Sequence, residues 1–235
     1  TYGTCCGARR TGRMALFVVP AICLSAFYVR AGETEVICAR TPWRAHLVVG
    51  RNILREKGKL MITQGNGGMA PYDADMRRFS PMPPQDWMQS GFDDSCWPRY
   101  VAGELADFLG DCAAPAADWL RGTWSVRLAL RTCFGVADPA LVSDLQLRVA
   151  FIGGAVAYVN GQEVGRGNLP AGEAEPFTPA EDYPLEAYTT DDGKTPLPES
   201  QDGRPPDPKW AARYEKRIRT IALKVPSRLL VKGRN

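Results

Sequence analysis

Between Asp144 and Arg166 the chain reads D-L-Q-L-R-V-A-F-I-G-G-A-V-A-Y-V-N-G-Q-E-V-G-R, and this stretch restricts the fold more than any other. Leu145, Leu147, Val149 and Phe151 are apolar at every second position, with Gln146 and Arg148 polar between them. Successive side chains of a strand point to opposite faces, so this spacing predicts a strand with one face buried. A second apolar run, Ala155 to Val159, reaches Asn160-Gly161 and continues as Gln162-Glu163-Val164. Asn and Gly accept positive φ at both turn positions, so a two-residue type I′ turn is expected to close a hairpin in which Ala157 faces Val164. The chain reads as an antiparallel, all-β protein.

Other segments extend the pattern. Ala45 to Val49 is a short apolar strand, and Asn52 to Glu56 with Lys59 to Thr63 flank Lys57-Gly58 as a second hairpin. Val126, Leu128, Leu130 and Phe134 alternate against Arg127 and Arg131, a further half-buried strand. Gln64 to Pro84 shows no period and reads as a surface loop carrying Tyr72, Asp73 and Asp75. Two carboxylates without further oxygen ligands are weak grounds for calcium, and solvated turn residues are the better reading. Phe92-Asp93-Asp94-Ser95-Cys96-Trp97-Pro98 reads as a clasp: Asp and Ser side chains tie a tight turn, and Phe92 and Trp97 anchor it. Two short helices are expected. One spans Glu104 to Leu109; the other is capped by Asp207, starts at Pro208 and aligns Trp210, Tyr214, Ile218 and Ile221 on one face. Ile221, Leu223 and Val225, then Leu229 and Val231, read as closing strand segments. His46 lies in a strand, where a lone histidine is a structural hydrogen-bonder more often than a catalyst.

In 235 residues, 45% apolar content supports a substantial core. A net charge of +3, from 29 basic and 26 acidic residues, does not by itself call for nucleic acid or an anionic membrane. The local basic cluster of Arg213, Lys216, Arg217 and Arg219 is read as a solvated helix face. At the N-terminus Arg9, Arg10 and Arg13 precede an apolar run from Ala15 to Val29, followed by Val29-Arg30-Ala31. That order resembles a cleaved export signal over 1–31, and the run is shorter than the ~20 residues that span a bilayer. The expected location is secreted, periplasmic or cell-surface, with no stable membrane span. Removing 1–31 leaves Cys38, Cys96, Cys112 and Cys133, either paired in one of three connectivities or present as free thiols. Without a C-x-x-C pair, and with His46 as the single histidine, no zinc site or other cofactor is expected.

The order of F-D-D-S-x-W at Phe92 to Trp97, G-T-W-S-V-R-L-A-L-R-T-C-F at Gly122 to Phe134, and the G-G-A-V-A-Y-V-N-G-Q-E-V-G-R hairpin resembles the galactose-binding-like β-sandwich. That jelly-roll domain occurs in carbohydrate-binding modules and as the N-terminal sandwich of family-two glycoside hydrolases. The resemblance implies one antiparallel jelly-roll domain over 32–235, with Phe92, Asp93, Asp94, Trp97, Asn160 and Gly161 as framework. Two departures accompany it. A long insertion contains a Pro-rich stretch, Thr189 to Pro208, whose five prolines and two glycines predict a mobile loop that buries no surface. The chain also stops at Lys232-Gly233-Arg234-Asn235, a turn after which the family pattern has a last strand, so a longer protein with a neighbouring domain is expected.

Three functions follow: a non-catalytic carbohydrate-binding or accessory module of an exported protein, the sandwich of a secreted glycoside hydrolase whose catalytic carboxylates lie elsewhere, or a domain-docking module. No nucleophile, base and orienting group can be connected in the sequence. For a glycan, loops at one end of the sandwich are the expected site. Tyr72, Asp73, Trp119 and Arg166 are the candidates, an aromatic surface with polar groups for hydroxyls.

Overall fold

Strands dominate the computed structural model, which describes residues 36–37, 40–51, 53–63, 69–71, 80–101, 123–172, 178–198 and 207–235. In chain order the strands are β1 (Pro42–Arg51), β2 (Ile53–Glu56), β3 (Lys59–Thr63), β4 (Met69–Pro71), β5 (Arg99–Val101), β6 (Thr123–Arg131), β7 (Gly135–Val136), β8 (Gln146–Phe151), β9 (Ala155–Val159), β10 (Gln162–Gly167), β11 (Arg219–Lys224) and β12 (Gly233–Arg234). They pair antiparallel in small sheets: β5-β1-β6, β2-β3-β4, β9 with β10, β8 with β11, and β7 with β12. A single α-helical turn, α1 (Ala211–Glu215), and a few 3₁₀ turns accompany them among the described residues. The expected 1–31 segment, the helix at Glu104 to Leu109, Tyr72, Asp73 and Trp119 lie outside the described residues.

The alternation in β8 holds. Leu147, Val149 and Phe151 share a face with Leu223, Ile221 and Arg219 of β11, their opposite partners in the ladder. On β10, Gly165 and Gly167 leave room for these side chains: a Cβ at Gly167 would stand 2.6 Å from Ile221 Cγ2 and 2.8 Å from Phe151 Cζ. Neither neighbour is a flexible chain end, so Gly167→Ala is expected to cost about 1–3 kcal/mol through overpacking. Chemical denaturation checks this; an unchanged midpoint would show that β8 and β11 yield at no cost.

The β9–β10 turn is as expected, with φ of 50° at Asn160 and 81° at Gly161. The register is not. Ala157 lies opposite Gly165, because Val164 is the extra residue of a β-bulge between Glu163 and Gly165. Val164 instead packs against the cluster of Val136, Val159, Val225, Leu229 and Leu230. A bulge reverses which face the following residues take, and sequence alternation alone does not reveal it. The side chain of Asn160 ties the turn to the C-terminal segment, donating from Nδ2 to Leu229 O at 2.8 Å and to Asn235 Oδ1 at 2.9 Å.

Several expectations are corrected towards the C-terminus. Asp207 caps as predicted, accepting from Lys209 N at 3.0 Å, but the helical segment ends by Lys216 and Ile221 belongs to β11. Leu229 is buried within a 3₁₀ turn, Val231 is exposed, and Gly233–Arg234 pairs with β7 rather than forming a turn. Met69–Pro71, placed in a loop by sequence, is a third strand beside β3.

Within the Pro-rich stretch, residues 199–206 lie outside the described residues, and its first part departs from its composition. Its first ten residues bury Thr189 and Leu197, which flank a tight turn: Thr189 bridges to Pro196, and Asp192 Oδ1 accepts from the amides of Lys194 and Thr195 at 2.8 Å. The Thr195 hydroxyl, then these amides and the Thr190 hydroxyl, hold the Asp192 carboxyl far below the usual carboxylate range. Tyr214 donates to Pro198 O. Local side-chain-to-backbone bonds and one apolar anchor fix a segment whose average composition predicted no burial.

Arg213, Arg217 and Arg219 are likewise only half-exposed and are held by the fold. Arg213 donates to Glu186 O and Thr189 O, Arg217 to Ala187 O, and Arg219 to Gly153 O, Glu181 O and Asp182 O. Arg217 stacks over Tyr188 and Tyr214, and Arg219 over Tyr183 at 3.7 Å. The guanidinium fork satisfies carbonyls of segment 181–191 that no strand ladder reaches.

Candidate functional site

The site is built on one face of the β1–β6 ladder. Arg44 lies opposite Arg131, His46 opposite Ala129, and Val48 opposite Arg127, so these six residues share a face. The other face carries Ala45, Leu47, Leu128 and Leu130, which pack together with Tyr100. The sequence assigned burial to the leucines and solvent to the arginines. In the structure the arginine-bearing face is the more deeply covered at its centre, with Val48 at 0% and Ala129 at 1% exposure.

The clasp covers it. Trp97 is 4% exposed, and its ring lies 5.0 Å from His46, 5.5 Å from Phe92 and 6.1 Å from Trp87. Asp93 Oδ1 accepts from Ser95 N at 2.9 Å, which closes the turn and holds the carboxyl below its ordinary range. Asp94 accepts from Arg131 Nε at 3.0 Å, with Arg44 Nε 3.8 Å from its other oxygen. Arg131 also donates to Gln89 O at 3.1 Å and to Trp87 O, and Arg44 donates to Trp97 O at 2.7 Å. Both arginines therefore pin the clasp to the sheet. His46 Nε2 bonds Pro81 O at 3.0 Å, the structural use expected for it.

Arg127 differs. It is half-buried, and among the described residues no carboxylate or carbonyl accepts from its guanidinium. Burial pushes its pKa down, with the phenol of Tyr158 as the other titrating group it feels. Tyr158, on β9, packs its ring edge-on against Trp87 at 6.1 Å. Burial, then the negative charge of Glu163, pushes the Tyr158 phenol up, so its hydroxyl stays protonated at neutral pH. A row of rings thus runs from Trp97 through Trp87 to Tyr158.

Two irregularities lie next to Arg127 and Tyr158. In β6 the register slips beside the Val48–Arg127 pair, leaving Val126 as the extra residue. In β10 the Val164 bulge follows the Tyr158–Glu163 pair. Bulges re-aim the side chains next to them and concentrate beside functional sites.

Of the glycan candidates drawn from sequence, Arg166 alone is among the described residues. It forms a two-point ion pair with Glu163, at 2.7 Å from Nε and 2.6 Å from Nη2, and donates to Pro170 O and Gly172 O. This bracing holds the Glu163 carboxyl below its usual range and leaves Arg166 little donor capacity for a ligand. Sequence reading missed Arg127, Tyr158 and Trp87. For Arg127 the signal was the basic residues on alternate positions of β6, read there as a solvent face.

Cys96 and Cys133 are exposed free thiols, while Cys38 and Cys112 lie outside the described residues. Among the described residues no group of His, Cys, Asp and Glu is placed to hold a metal ion, and no helix is long and apolar enough to cross a membrane. No protein-family model, curated protein or solved structure matches the chain.

Proposed function

We propose that the chain is a non-catalytic binding module of an exported protein, folded as a galactose-binding-like jelly-roll β-sandwich, with a glycan as its ligand. The observation that carries this reading is the edge-on pairing of the half-buried Trp87 and Tyr158 rings, 6.1 Å apart. Sugar sites combine an aromatic ring, which packs on the C–H face of a pyranose, with a few fixed polar groups that bond its hydroxyls. The small antiparallel sheets and the hairpin at Asn160-Gly161 are of the kind a jelly roll is made from.

A glycan-array screen of the 235-residue chain, with Tyr158→Ala and Trp119→Ala alongside, tests the reading. Saturable binding that Tyr158→Ala removes while far-UV circular dichroism stays native is expected. Loss in Trp119→Ala alone would keep the glycan and move the site to the loop candidate. Absence of binding by the folded chain would replace this reading with the docking module.

A further inference from the structure

We propose that Asn160-Gly161 is a site of spontaneous deamidation held shut by the bonds of the Asn160 side chain, and that its conversion to aspartate or isoaspartate unties the β9–β10 hairpin from segment 229–235. The inference does not depend on the glycan reading.

A glycine after asparagine leaves the next backbone amide open to attack on the side chain, since no Cβ shields it. The Gly161 nitrogen loses its proton to water or hydroxide and bonds to Asn160 Cγ. The Cγ–Nδ2 bond breaks, and Nδ2 takes up a proton and departs as ammonia. Water then opens the five-membered imide. Cleavage of the new N–Cγ bond gives aspartate; cleavage of the original peptide bond gives isoaspartate, in which the backbone runs through Cβ and Cγ. Nothing is oxidised or reduced, and water is the co-reactant.

Both Nδ2 protons of Asn160 are in use, on Leu229 O at 2.8 Å and on Asn235 Oδ1 at 2.9 Å. A backbone carbonyl only accepts, so the atom facing Leu229 O must be a donor. Asn235 cannot turn its amide over to suit a new neighbour. Its Oδ1 also accepts from Val231 N at 2.7 Å, and its Nδ2 donates to Val231 O at 2.8 Å and to Gly233 O at 3.2 Å, so a flip would set oxygen against oxygen and N–H against N–H. Ammonia leaves Asn160 only when both bonds of Nδ2 break. Afterwards a carboxylate, with acceptors alone, faces two acceptors. Leu229 and Leu230 share a core cluster with Val159, the residue before the turn, so the bonds of Asn160 join hairpin and segment 229–235 at the edge of one core. Aspartate tolerates the φ of 50° at position 160, which confines its effect to the side-chain bonds. Isoaspartate also lengthens the backbone of a two-residue turn and so disturbs the β9–β10 pairing.

The test follows conversion by peptide mapping with mass spectrometry in the full 235-residue chain at mildly alkaline pH, native and in urea, with Asn235→Ala alongside. Mapping separates Asn160 from the second Asn-Gly pair, Asn66-Gly67, which lies outside the described residues. Conversion at Asn160 is expected to be slower in the native chain than in urea by about tenfold or more, the factor that two ordinary hydrogen bonds put on local opening. Asn235→Ala, with native far-UV circular dichroism, is expected to speed it severalfold. The converted chain carries an added negative charge and is separated from the parent by ion exchange; hydrogen exchange of segment 229–235 is expected to be about tenfold faster in it. Asn160→Asp is expected to reproduce that acceleration. Equal rates at Asn160 in the native chain, in urea and in Asn235→Ala overturn the lock. Unchanged exchange of 229–235 in the converted chain overturns the release. Retention of Asn160 in urea while Asn66 converts overturns the site itself.

Discussion

Trp97→Ala is expected to lower stability by about 3–5 kcal/mol, the range for removing a large aromatic side chain from a packed core. The indole is 4% exposed and meets His46, Phe92 and Trp87 on three sides, so its loss leaves a cavity lined by rings that cannot all close in. The backbone bonds of the clasp do not depend on the ring. Trp97 N donates to Asp94 O at 3.0 Å, Trp97 O accepts from Arg44 at 2.7 Å, and Ala45 N donates to Pro98 O at 3.0 Å. The cost should therefore come from packing, and Trp97→Phe should recover a good part of it. Urea denaturation of the two variants against the parent chain measures both effects. A midpoint that does not move in Trp97→Ala would show that the clasp is not an anchor of the sheet.

Arg131→Ala is expected to cost about 2–4 kcal/mol. Its side chain is 15% exposed and its partner Asp94 22%, which places the pair between surface ion pairs worth little and buried ones whose rupture is expensive. Truncation leaves Asp94 with only the longer contact to Arg44, and leaves the carbonyls of Trp87 and Gln89 without this donor. The guanidinium also covers the Phe92 ring at 5.2 Å. Arg131→Lys should recover little, because an ammonium cannot reach three acceptors in the fork geometry. A double-mutant cycle with Asp94→Ala separates the ion pair from the carbonyl contacts. If Arg131→Ala alone costs no more than Asp94→Ala, the carbonyl contacts contribute nothing measurable.

Much of the strand inventory was legible because it depends on local chemistry. Lys57-Gly58 and Asn160-Gly161 both adopt positive φ and both close hairpins, as residues that tolerate that region should. The alternation of Leu147, Val149 and Phe151 faces Ile221 and Leu223 across a ladder, and both runs were readable as strands. Asp207 caps, and His46 serves as a hydrogen-bonder. Where local signals misled, distant groups had intervened. Thr189 to Pro198 looked too polar and too rich in proline to bury anything, yet Leu197 fills a space that other segments provide, and Tyr214 bonds Pro198 O from sixteen residues away. Arg213, Arg217 and Arg219 looked like a solvated stripe, and their partners are carbonyls far from them in sequence.

The candidate site shows the same division. Alternation identified β6 as a strand, but it ranked the leucine face as buried and the arginine face as wet, since a lone strand carries no record of what will cover it. Only the clasp folding over that face, through contacts between residues some forty positions apart, covers His46 and fixes Arg44 and Arg131. Only the tertiary fold brings Tyr158 of the β9–β10 hairpin edge-on against Trp87 of the segment before β5. The sequence by itself determined the longer strands, the two positive-φ turns and the helix cap, because each depends on side chains within a few residues of the backbone they shape. The tertiary structure decided the bulged registers, the fate of each arginine and the place of the site, because those depend on which distant face arrives to exclude water.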